Sequence, residues 1–124
     1  VTIGSKLQIK SPATVSVLGA PEGIDLELPD GCTRSDDPAS ASDSSVVIAF
    51  VRTASGIDTV AAPVIVAARD DRLAWIAYPK AGQLSTDLNR DSLAQLVRDR
   101  GGQPVRQVAI DDTWSALRFR PQSR

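Results

Sequence analysis

The side chains able to do chemistry in this sequence are carboxylates, lysines, hydroxyls and one thiol, because it holds no histidine and a single cysteine, Cys32. A Cys-His zinc site, a Ser-His-Asp triad, a Cys-His dyad and an intrachain disulfide are therefore excluded within one copy, and no metal site is expected. Cys32 opens a short strand candidate, where a buried and inert thiol is the usual case. Asp111 and Asp112 are adjacent, and neighbouring strand residues point to opposite faces, so a hairpin turn explains them better than a catalytic couple. Spacing shows no general acid-base pair, which leans against an enzyme.

One grouping could bind a ligand. The β-rich run TVSVL (14–18) ends in Gly19-Ala20-Pro21-Glu22-Gly23, and in an open α/β sheet ligands sit beyond the carboxyl ends of the strands where the strand order reverses. If 14–18 lies beside 46–51, then Gly19, Ala20, Glu22 and Gly23 face Arg52 and Thr53, with Lys80 at the end of the next strand. Asp87, further on, could pair with Lys80 or act as an acid or base. A nucleotide or S-adenosylmethionine could lie there, the glycines permitting close approach and Lys80 supplying charge. Against that, the turn lacks the G-x-G-x-x-G spacing and carries a proline where a backbone donor would serve. The bland readings are preferred: a structural turn at 19–23, a solvated charge at Lys80, and turn chemistry at Asp87. No cofactor is expected, S-adenosylmethionine being the alternative.

The elements that must position these residues follow from hydrophobic patterning. LAWIAYPK (73–80) and VVIAFV (46–51) are apolar on both alternating faces, as central parallel strands covered by helices on both sides would be. Between them Ile57, Val60, Ala61, Val64, Ile65 and Ala68 keep helical spacing, with Ser55 and Asp58 spaced as a capping box. Pro63 predicts a kink or a late helix start. A second helix opens at Asn89, buries Leu93, Leu96 and Val97, and closes at Gly101-Gly102. Cys32 to Ser35 is a short second strand, and Val105–Ile110 with Trp114–Arg120 form a terminal hairpin. Ile24 to Leu28 fits one or two helical turns or an irregular crossover. Residues 1–13 read as a lead-in on the domain's edge or a frayed terminus, 36–45 (DDPASASDSS) as a mobile loop, and 121–124 as a tail. Trp114 and Arg118 share a strand face, which suggests a cation-π contact.

These residues resemble a known family. WIAYPKAGQLSTDL (75–88) followed by AIDDTWSALRF (109–119), with SVLGAPEG (16–23) and VVIAFV upstream, is similar to the bacterial family called domain of unknown function 3052. That family shows an APEG turn, a WPKK segment with a downstream TDL, and a DETWSGLRF-like ending. The similarity runs from about Leu7 to Phe119 and departs at Ala81, where the family has a second lysine, and at Ala116, where it has glycine. It implies a fold and transfers no catalytic residue. The strand pattern also looks like a shortened class I methyltransferase sheet, Rossmann-like. The expected fold class is accordingly α/β: a three-layer, mostly parallel open sheet of order 2-1-3-4-6-5, with the last strand antiparallel between strands 4 and 5. Fold does not fix function.

At 124 residues one domain is expected. With 42% hydrophobic and 23% charged residues and a net charge of -1, no polyanion partner is indicated, so neither nucleic acid nor membrane is expected. The longest apolar run, Val60–Ala68, is far too short to span a bilayer. With no apolar leader visible, a cytoplasmic protein is the simplest expectation. An edge-strand homodimer is open. A non-catalytic binding or interaction module is the favoured function, and a small methyltransferase-like enzyme the alternative.

Overall fold

The two runs that are apolar on alternating faces lie side by side. In a computed structural model describing residues 2–80, 83–84 and 86–122, β3 (Val46–Phe50) pairs in parallel with β4 (Leu73–Pro79), placing Ile48 opposite Trp75. Every residue of β3 is buried. Around this pair β1 (Ala13–Leu18), β2 (Cys32–Ser35), β5 (Gly102–Ala109) and β6 (Trp114–Pro121) complete one six-stranded sheet of order β2-β1-β3-β4-β6-β5. The first four strands are parallel, and β6 runs antiparallel between β4 and β5, as the expected order required. The β1-to-β2 connection crosses one face in one direction. Those from β2 to β3 and from β3 to β4 cross the other face in the opposite direction, so all share one hand.

On one face lie α2 (Ala62–Arg69) and α3 (Arg90–Arg98), burying Val64, Ala68, Leu93 and Val97 against Val47, Ile76 and Phe119. Pro63 sits in the first turn of α2, where its missing amide hydrogen is harmless, so the helix starts late. The expected capping box of Ser55 and Asp58 does not form: Ala54–Asp58 is a 3-10 turn without a side-chain cap. Asp58 instead takes both arms of Arg100, at 2.6 and 2.8 Å. Asn89 does cap α3, exchanging hydrogen bonds with Ser92.

The Arg100 hydrogen bonds hold the Asp58 carboxyl below its ordinary range. A carboxyl whose pKa is lower in the folded state contributes its stabilisation fully above the unfolded value and loses it as pH falls through the lowered one. Asp58→Asn should therefore flatten the acid limb of the stability curve, read by urea unfolding between about pH 2 and pH 5. An acid limb identical to the parent's would remove the pair from the stability balance.

The other face differs from a helical layer. Among the described residues the one helix there is α1 (Ile3–Lys6), one turn long, followed by a turn at Leu7-Gln8 and joined by the irregular crossover 24–28. Of the segment read as a lead-in on the domain's edge or a frayed terminus, residues 2–12 instead pack on this face of the sheet. Leu7 and Ile9 are buried, and the Trp75 indole Nε1 donates to the Leu7 carbonyl at 2.9 Å. Gly4 is buried so tightly on the crossover that a Cβ would lie 2.6 Å from the Glu27 carbonyl oxygen.

Local structure also differs from expectation in three places. Residues 36–45 contain a 3-10 turn, Pro38–Asp43, that buries Ala41 and Ser44. The buried Ser16 hydroxyl on β1 meets Ser40 and Ser44 at 2.7 and 2.6 Å, so small polar side chains attach this segment to the sheet. At the other end β6 continues to Pro121, and the Gln122 side chain donates to the carbonyls of Arg98 and Gly102; residues 123–124 lie outside the described ones. Trp114 does share a face with Arg118, but its ring meets Phe50 edge-on at 5.1 Å while Arg118 donates to Gln8.

Both sheet edges are blunted against further pairing. β2 has four residues, and β5 carries Pro104 with a register shift between Pro104 and Arg106.

Candidate functional site

A cleft of about 700 Å³ opens where the strand order reverses, beyond the carboxyl ends of β1 and β3. Gly19, Ala20, Arg52 and Thr53 are brought together there, as the topology predicts. Its wall combines the apolar Ala20, Pro21, Val60, Leu84 and Trp114 with the hydroxyl-bearing Thr53, Ser55 and Thr59 and with Arg52. The hydroxyl-bearing part of the wall lies where the chain leaves β3 into the 3-10 turn rather than directly into a helix.

The loop holding Arg52 is fixed from behind. Thr86 Oγ1 donates to the Arg52 carbonyl at 2.7 Å, and the Thr53 and Ser55 hydroxyls meet at 2.9 Å. Asp87 Oδ1 accepts from the Ala54 amide at 2.9 Å, capping the turn that has no cap of its own. Asp87 is thus a cap supplied by a distant loop, and it forms no ion pair with Lys80 among the described residues. Asp87→Ala should cost about 1–2 kcal/mol in urea unfolding, with Asp87→Asn, which keeps the acceptor, costing less. Equal losses for the two variants would show that the hydrogen bond to Ala54 is not what matters.

The remaining candidates fall elsewhere. Glu22 and Gly23 border an adjoining shallow depression with Ile24, Asp111 and Thr113, which shares Pro21 and Trp114 with the cleft. Lys80 is half-buried, its amide donates to the Thr113 carbonyl at 2.7 Å, and it is absent from the cleft wall. Gly19 has φ +67°, and a Cβ there would lie 2.8 Å from both the Phe50 carbonyl oxygen and Val60 Cγ1. The protein's own atoms, rather than open space, crowd this glycine.

Sequence reasoning missed Ser55, Thr59, Val60, Leu84 and Trp114 as cleft residues. Their signal was weak, since each reads locally as helix, loop or hairpin, and only the placement of β6 beside β4 brings Trp114 near β3. It also passed over the acids after β2, where dinucleotide folds place a ribose-binding carboxylate. Here Asp36 is engaged by both arms of Arg34, at 2.9 and 3.1 Å, and Asp37 caps the amide of Ala39. No helix follows β1: residues 19–31 are irregular throughout. No group of His, Cys, Asp or Glu able to hold a metal ion occurs among the described residues. No protein-family model matches this chain, and neither a curated protein nor a solved structure matches it.

Proposed function

We propose that this chain is a non-catalytic binding module that uses the cleft between β1 and β3, and that it is related to the bacterial domain of unknown function 3052 family. The observation that carries the reading is the cleft's position at the reversal of strand order, lined by an arginine and hydroxyl-bearing residues and, among the described residues, by no carboxylate or lysine. A cytoplasmic location belongs to the same proposal; among the described residues no helix is long and apolar enough to cross a membrane.

The methyltransferase-like alternative is favoured by one observation, the antiparallel β6 inserted between β4 and β5. Three others count against it: the absence of a helix after β1 to offer its N-terminus to a ligand, the crowding of Gly19 by Val60, and the engagement of Asp36 by Arg34. Thermal unfolding and calorimetry with S-adenosylmethionine, S-adenosylhomocysteine and common nucleotides separate the two. A ligand at one hundred times its Kd adds about 2.7 kcal/mol, several degrees in Tm for a domain of this size. No rise with S-adenosylmethionine or S-adenosylhomocysteine is expected. A saturable rise with either would replace the binding-module reading with the enzyme.

A further inference from the structure

We infer that the cleft between β1 and β3 takes a small organic monoanion with an apolar body, its charged end on Arg52. This rests on the proposal that the cleft is a binding site, and it adds the chemistry of the occupant. Among the described residues Arg52 is the one charged residue lining the cleft. It takes part in none of the ion pairs among the described residues, whereas Arg72, Arg100 and Arg120, which tie elements together, each have a carboxylate partner. Its backbone is nevertheless fixed, by Thr86 on its carbonyl and by Asp87 on the amide two residues on. A guanidinium with no ion-pair partner among the described residues can receive a carboxylate or phosphate oxygen pair, and the hydrogen-bonded Thr53–Ser55 hydroxyl pair in the same cleft has one hydrogen left to donate.

The charge of the occupant is limited by what the cleft lacks. A polyphosphate is held by several backbone amides at a glycine-rich turn and a helix N-terminus. Here the glycine turn is filled by Val60 and leads into no helix, and Lys80 stands outside the wall. One guanidinium matches one negative charge. The cleft is also lined by the apolar Pro21, Leu84 and Trp114, and Leu84 is 45% exposed while held at φ +52°. Such a surface gains by covering an apolar or aromatic ligand body, and the volume lies within the range of small-molecule sites.

The test uses the full chain, labelled with nitrogen-15, titrated with phenylacetate, its neutral amide phenylacetamide and the cationic phenethylamine. Phenylacetate should shift the amides of Gly19, Ala20, Thr53 and Ser55 and the Trp114 indole. It should bind about tenfold more tightly than phenylacetamide, the usual worth of a charge-assisted hydrogen-bond pair. Arg52→Ala should remove that preference, and Arg52→Lys should retain part of it. If all three probes move the cleft signals with equal affinity, or Arg52→Ala leaves the preference intact, the anion inference is overturned while the cleft stands as a binding site. If no probe moves the cleft signals, the inference and the proposed binding role fall together.

Discussion

A chain truncated through Ile9 should be the least stable variant of this domain, and Trp75 should report it by a red shift in emission when Trp114 is replaced by Phe. Leu7 and Ile9 are 0% and 3% exposed, and burying two such side chains stabilises by about 3–6 kcal/mol. Removing them also takes away the Leu7 carbonyl that accepts from the Trp75 indole, a hydrogen bond worth about 0.5–1.5 kcal/mol net once water reaches the exposed indole. The Arg118 side chain loses Gln8 in the same step, and its Nε already has no hydrogen-bond partner among the described residues. Against a typical stability of about 5–15 kcal/mol, the sum is enough to leave much of the population unfolded. The full-length Leu7→Ala variant should lose about 2–5 kcal/mol by the same reasoning. A truncation that shifts the urea midpoint no more than an exposed-surface substitution does would show that the segment is not part of the core.

Gly19→Ala should cost about 2–5 kcal/mol, while Gly23→Ala, four residues on, should cost about 1. Both glycines have positive φ, +67° and +78°, so both substitutions carry the left-handed penalty of an L side chain. They differ in what the new methyl group meets. At Gly19 it lies 2.8 Å from the Phe50 carbonyl oxygen and from Val60 Cγ1, and the first of these is backbone of a buried strand that cannot move aside. At Gly23 nothing lies within 4 Å. Combining Gly19→Ala with Val60→Ala should recover only the part of the loss due to the side-chain clash. Urea unfolding measures all of these. Equal losses at the two glycines would mean that Val60 and Phe50 yield, and that the turn has room for more than its own chain.

The centre of the sheet was legible because a strand buried on both faces reads as an apolar run too short for a buried helix, and VVIAF and LAWIAY both show it. Pro63 and Asn89 were legible for a local reason: each acts on the backbone within one turn of itself. What could not be read depended on partners far away in the chain. DDPASASDSS looks like solvated loop until Ser16 is placed beneath it, and Leu7 and Ile9 look like a weak alternation until Trp75 supplies their other half. The candidate site divides in the same way. Gly19, Ala20, Arg52 and Thr53 sit at strand ends and follow from topology alone. The hydroxyl-bearing part of the wall lies at a 3-10 turn where a helix start was expected, and the roles of Asp87 and Glu22 turned on loop geometry that spacing does not encode.

The seating of Leu7 and Gln8 on β4 and β6 also bears on how the protein is made. Trp75 and Arg118, their hydrogen-bonding partners, follow 68 and 110 residues later. At a ribosomal pace of about 5–20 residues per second, these early residues wait several seconds for the surface they will cover. During that interval their apolar side chains are available to chaperones and to other nascent chains. The face of the sheet built around Trp75 can close only after β6 has been synthesised, so docking of the first segment belongs to the last stage of folding rather than the first.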